Sequence, residues 1–140
     1  MKQIPVIFWT GTGNTQMMAD AVAEAINAAG AEAVVKNVSE ISADEAADYD
    51  ALALGCPAMG AEVLEECEFE PFFTELEGKL AGKKVALFGS YGWGGSYMQD
   101  WEARVKDAGA TLVADGVLAL GAPDDEAVAK LAEAGKLLAE

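Results

Sequence analysis

The sequence predicts an α/β fold: a parallel sheet with helices on both faces. Three observations carry that prediction. Apolar strand-like runs alternate five times with helical patterns. Several of those runs are continuously apolar rather than alternating, as strands buried on both faces are. The unusual segments at residues 10–15, 56–62 and 90–96 each follow a strand, which puts all three on the edge where such sheets bind ligands.

The elements follow in order. Residues 4–9 are a continuous apolar run and read as a buried strand, with Pro5 near its start where a missing N–H donor is tolerated. Residues 10–15 are a Gly- and Thr-rich loop. The pattern from 14 to 29 is helical, with Met17, Met18, Ala21, Val22, Ala25 and Ile26 expected on the apolar face and Gly30 as the stop. Residues 33–35 form a second strand, and the acidic stretch 39–48 a loop with one short helix. Residues 51–55 are the third strand, 58–68 a Glu-rich loop, 69–80 a helix, and 85–89 the fourth strand. A Gly- and aromatic-rich segment, 90–96, precedes a helix over about 98–108. The fifth strand begins at 111–113 and resumes at 117–118 after the Asp115-Gly116 break. Residues 124–139 are a closing amphipathic helix with Asp124 as its cap.

The 140 residues suit one domain, and 52% hydrophobic content can bury a sizeable core. No apolar run approaches the ~20 residues that span a bilayer. The first residues show no signal-peptide pattern. Nine basic against 24 acidic residues give a net charge of −15. Such a surface repels nucleic acid and anionic lipid; it serves solubility, attraction of basic partners, or both. The absence of His removes the usual general base and metal ligand. Cys56 and Cys67 form no disulfide framework, and a reducing cytoplasm fits.

Thr10-Gly11-Thr12-Gly13-Asn14-Thr15 joins a buried strand to a helix. Its glycines allow close approach of an anion, and the helix start supplies free N–H groups and the positive dipole end. No Lys or Arg lies between Lys2 and Lys36, so the anion would be held by neutral dipoles. The loop lacks the Lys of a Walker motif, and Gln16 breaks the Gly-x-Gly-x-x-Gly pattern. Taken alone, it reads either as an anion loop or as a Gly-rich turn capped by Thr.

Trp9-Thr10-Gly11-Thr12-Gly13-Asn14-Thr15 resembles the FMN phosphate loop of short, clostridial-type flavodoxins. Gly55-Cys56-Pro57-Ala58-Met59-Gly60 is similar to the second flavin loop of that family, and Gly89-Ser90-Tyr91-Gly92-Trp93-Gly94 to the third. The resemblance covers nearly the whole chain, with the three motifs in the right order. It implies a doubly wound, five-stranded parallel sheet in the order 2-1-3-4-5 and an FMN site where the loops meet. The site it implies takes Trp9, Thr10, Gly11, Thr12, Gly13, Asn14 and Thr15 from the first loop. Cys56, Pro57, Ala58, Met59, Gly60 and Glu62 come from the second, and Ser90, Tyr91, Gly92, Trp93 and Gly94 from the third.

Within that site, Met59 and Trp93 are the plates for the two flavin faces. Trp9 either touches the ribityl phosphate region or simply covers the sheet. The resemblance implies that the Met59–Gly60 peptide flips to offer a carbonyl to flavin N5, which Gly60 permits at little cost. That stabilises a neutral semiquinone. Glu62 stands where relatives use a carboxylate for flavin N3–H. Glu65, Glu66, Glu68, Glu70, Asp100 and Glu102 read as electrostatic field and docking surface. Ala61, Gly95 and Ala122 lack the acidic groups that relatives often carry there. The thiol of Cys56 reads as a small buried apolar group.

The function this implies is a low-potential one-electron carrier between redox proteins, without catalytic residues or metal. Its expected partners are basic reductases and acceptors, the expected state a monomer in the cytoplasm, away from nucleic acid and membranes. Two rivals remain open. A flavin-dependent NAD(P)H:quinone reductase would need room and basic groups for the nicotinamide cofactor. A receiver-like module would need an acidic cluster after its first strand, where Thr10-Gly11-Thr12 stands.

Overall fold

The apolar runs do pair into one parallel sheet. A computed structural model of the protein describes residues 2–9, 13–57, 67–91 and 96–140. Its strands are β1 (Gln3–Phe8), β2 (Glu32–Asn37), β3 (Ala51–Gly55), β4 (Lys84–Tyr91), β5 (Thr111–Leu112) and β6 (Val117–Leu120). They are ordered β2-β1-β3-β4-β5, with β6 also on β4. The sheet therefore has six strands rather than five, because the edge beside β4 is split. β5 pairs with the beginning of β4 at Lys84 and Val85, and β6 with its end from Phe88 to Tyr91. The break falls at the expected Asp115-Gly116. There Glu102 Oε2 accepts from the Gly116 N–H at 2.7 Å, and a Cβ on Gly116 would sit 2.4 Å from Met98 Sδ.

The sheet's alternation sorts side chains into two cores. Ile4, Val6 and Phe8 of β1, Ala51 and Ala53 of β3, and Ala86 and Phe88 of β4 face α1 (Asn14–Ala28) and α5 (Asp125–Ala139). Ile7, Leu52, Leu54, Val85 and Leu87 face α2 (Ala43–Ala46), α3 (Phe69–Glu77) and α4 (Ser96–Asp107). Small residues on the first face let its helices approach closely. Gly135 of α5 lies so near α1 that an added Cβ would meet Val22 O at 2.8 Å and Ala25 Cβ at 2.9 Å. The second face is filled with rings: Trp101 meets Phe69 and Phe73 edge-on, with centroids 5.5 and 5.9 Å apart.

The caps fall where sequence chemistry puts them. Asp124 accepts from the Ala127 N–H at 2.8 Å at the start of α5, and Ser42 with Glu45 forms a capping box on α2. Three details differ from expectation. Trp9 lies outside β1, although its amide still donates to Gly55 O at 3.0 Å. Ser90 and Tyr91 belong to β4, not to the loop after it, because β6 supplies ladder partners as far as Tyr91. On α1 the buried stripe is Thr15, Met18, Ala19, Val22, Ala23 and Ile26, while Met17 is 46% exposed. The stripe through Ala21 and Ala25 runs instead along the flank toward α5, where alanines suffice.

Candidate functional site

β1, β3 and β4 are neighbours; β1 and β3 end level, with Phe8 opposite Gly55, while β4, whose Phe88 lies opposite Gly55, runs on to Tyr91. The chain turns to opposite sides of the sheet at β1, reaching β2 on one side and β3 on the other. Ligands of open α/β sheets bind at such a switch point, outside the carboxyl ends of the strands. Trp9, Pro57 and Tyr91 are the last described residues before segments 10–12, 58–66 and 92–95. The expectations for Thr10, Gly11, Thr12, Ala58, Met59, Gly60, Glu62, Gly92, Trp93 and Gly94 lie outside the described residues, as do those for Ala61, Glu65, Glu66 and Gly95.

At the start of α1, Gly13 is the N-cap residue with φ +91°, a left-handed conformation natural to glycine. No side chain caps this helix, and its first turn carries no acid. By contrast, α2, α3 and α5 all carry acids in their first turns. In a chain with a net charge of −15, the 15-residue α1 thus has no carboxylate of its own in its first turn, at the positive end of its dipole. Thr15, in that first turn, is buried, and its hydroxyl lies 3.2 Å from that of Ser90 at the end of β4. Asn14 is half-buried beside it.

Two hydrogen bonds pin the residue that follows β3. The Cys56 N–H donates to Phe88 O at 3.1 Å, and the buried phenol of Tyr97 donates to Cys56 O at 2.8 Å. Gly89 lies under that bond, where a Cβ would be 2.1 Å from both the Cys56 and Tyr97 oxygens. Gly55 is required likewise, since a Cβ there would fall within the ring of Phe88. Burial pushes the Tyr97 phenol far above its ordinary range, with the neighbouring Cys56 adding to the shift, so it acts as a neutral donor. Neither cysteine is in a disulfide; Cys56 is buried and Cys67 exposed. The half-buried indole of Trp9 donates from Nε1 to Glu68 Oε1 at 3.3 Å, joining the exit of β1 to the turn before α3.

The structure thus brings together Trp9, Gly13, Asn14, Thr15, Cys56, Pro57, Ser90 and Tyr91 on one edge. Sequence reasoning missed the two groups that organise it, Tyr97 and the Trp9–Glu68 pair. Tyr97 sits one residue into a helix that gives no sign of an inward-facing hydroxyl.

The flavodoxin family model matches residues 6–135. The chain belongs to the flavodoxin family. It is 47% identical over 135 residues to the flavodoxin of Clostridium beijerinckii, covering 96% of this chain and 97% of that one. Identity to the Megasphaera elsdenii flavodoxin is 47% over 116 residues, or 82% of this chain and 85% of that one. The solution structure of two-electron reduced M. elsdenii flavodoxin superimposes with a TM-score of 0.89 at 43% identity, covering 97% and 98% of the two chains. Flavodoxins, themselves a standard illustration of the switch-point rule, are electron carriers that use FMN and exchange electrons with redox partner proteins. That is the function of this chain.

The described residues fit FMN. An uncapped helix start preceded by a left-handed Gly13, with the Asn14 amide and the Thr15 and Ser90 hydroxyls close by, is a neutral donor set for a monophosphate. No described helix is long and apolar enough to cross a membrane.

Proposed function

We propose that residues 1–140 form a single FMN-binding domain working as a low-potential, one-electron shuttle between redox proteins, with no substrate turnover of its own. The observation that supports this best is the convergence at one sheet edge. The start of α1, the Thr15–Ser90 pair and the carboxyl ends of β1, β3 and β4 all meet there.

Bound there, FMN supplies the capacity to take up and release electrons one at a time. The chain's residues do the rest. The α1 amides with Thr10, Thr12, Asn14 and Thr15 hold the phosphate by dipoles. Trp9 shields the ribityl side, kept in place by Glu68. Met59 and Trp93 cover the ring faces. Gly60 lets its peptide turn a carbonyl toward the ring, and Glu62 accepts a hydrogen bond at the rim. Carboxylates around the edge, Glu68 among them, disfavour added negative charge at the site and so lower its potential. The same acids favour small, transient contacts with Lys- and Arg-bearing partners over nucleic acid or anionic membrane. Like charge favours a monomer, and two cysteines outside any disulfide suit the cytoplasm.

The test is stepwise anaerobic reduction of the purified protein after addition of FMN, followed by visible absorption. Uptake of FMN, then a long-wavelength band of one-electron-reduced flavin that rises and falls, is the expected result. Failure to bind FMN overturns the site. Binding with a single two-electron step, or direct reduction by NADPH, turns the reading toward a reductase.

A further inference from the structure

The node beneath the edge carries a role that the FMN-binding residues alone do not supply. Pairing of β3 with β4 runs to Gly55 opposite Phe88 and is extended by the Cys56 N–H to Phe88 O. The next acceptor along β3, Cys56 O, takes its 2.8 Å hydrogen bond from Tyr97, 41 residues away on the first turn of α4. Tyr97 is 2% exposed, and its ring lies beside Trp101 at 6.5 Å with an interplanar angle of 25°. The backbone of β4 makes room for the bond at Gly89 and for no other residue there, since a Cβ would be 2.1 Å from both oxygens.

The placement of the two partners gives this bond its consequence. Cys56 is one residue before the last described residue ahead of segment 58–66, and Tyr97 is one residue into the helix that follows segment 92–95. The bond ties the take-off of the second loop to the landing of the third. Each loop carries one of the two proposed ring plates, Met59 and Trp93.

We propose that Tyr97 is a positioning residue: through Cys56 O it fixes the point where the chain leaves β3 against the start of α4, and thereby sets both FMN affinity and the separation of the two one-electron potentials. This rests on the proposed placement of the ring between the second and third loops. Tyr97 itself touches no reacting atom. The phenol acts as a neutral donor, because burial pushes its pKa up.

The test compares Tyr97→Phe with Val105→Ala, a buried substitution on the same helix that loosens packing without touching the bond. Tyr97→Phe keeps the ring and the fold. It is expected to weaken FMN binding about fivefold to tenfold, the worth of one buried hydrogen bond, and to move the two potentials relative to one another. In the apoprotein, amide exchange should quicken at residues 56 to 66 while β1 and β3 stay protected. Val105→Ala should lower stability and leave affinity and potentials as in the wild type. The apoprotein exchange is read without FMN, so it separates failure of this proposal from failure of the flavin site. Equal affinity, potentials and exchange in Tyr97→Phe and wild type overturn it, as does Val105→Ala reproducing the whole effect.

Discussion

Thr15 and Ser90, 75 residues apart in the chain, are both buried, and their hydroxyl oxygens lie 3.2 Å from each other. One stands at the start of α1, the other at the end of β4, so the pair joins the helix to the sheet where a phosphate would rest. Removing one hydroxyl strands the other in the interior. Thr15→Val and Ser90→Ala are each expected to cost about 1–2 kcal/mol. The double variant should cost less than the sum, with a coupling of roughly 1 kcal/mol. Urea unfolding of the four apoproteins measures this. Fully additive losses would mean that the hydroxyls do not sense each other.

Gly135 reverses the usual rule for helix glycines. In an open helix interior, Gly→Ala adds about 1 kcal/mol of stability. Here the new methyl would press on a backbone carbonyl of α1, Val22 O at 2.8 Å, which cannot swing aside as a side chain can. Gly135→Ala is therefore expected to lower stability by about 1–3 kcal/mol. A higher melting temperature would show that α1 and α5 separate easily.

Arg104 links α4 to both ends of α3. Its guanidinium pairs with Glu70 through bonds of 2.7 and 3.0 Å and with Glu77 through bonds of 3.0 and 3.1 Å, and sits 4.7 Å over the Phe73 ring. Hydrogen bonding from Arg104 outweighs desolvation and holds the Glu70 carboxyl below its ordinary value of 4.5. A carboxyl with a depressed folded-state pKa stabilises the fold above its unfolded value and loses that contribution as pH falls through the folded one. Both groups are about one-third exposed, so the gain is modest. Arg104→Met should cost about 1–2 kcal/mol at pH 7. Its deficit relative to wild type should shrink steadily once pH drops below 4.5. Thermal melts of both proteins from pH 7 to pH 3 give the comparison, and a deficit constant across that range would refute the linkage.

Gly60 tests the proposed peptide turn. In Gly60→Ala the methyl group penalises the positive φ that the turned peptide needs, by about 1 kcal/mol. The expected outcome is weaker FMN binding and a smaller peak of one-electron-reduced flavin during titration. An unchanged peak would remove the peptide turn from the account.

The division between sequence and structure runs along the range of the interactions. Local chemistry was legible: the apolar runs of β1, β3 and β4, Asp124 as a cap, the Asp115-Gly116 break, and the three loop motifs that named the family all depend on neighbours a few residues away. The order of the strands came with the family resemblance rather than from any local pattern. Where Ser90 and Tyr91 lie was not legible, because β6 extends β4 through pairing across the sheet. Nor was the buried stripe of α1, since alternating alanines and methionines offer two apolar faces and only the docking of α5 chooses between them. The bonds that organise the edge, Thr15 to Ser90, Tyr97 to Cys56 O and Trp9 to Glu68, span 75, 41 and 59 residues. By itself, then, the sequence determined the elements, their caps and the family. Only the tertiary structure decided which hydroxyl meets which partner, because such a contact is set by the spacing of whole strands and helices and leaves no periodic trace in the chain.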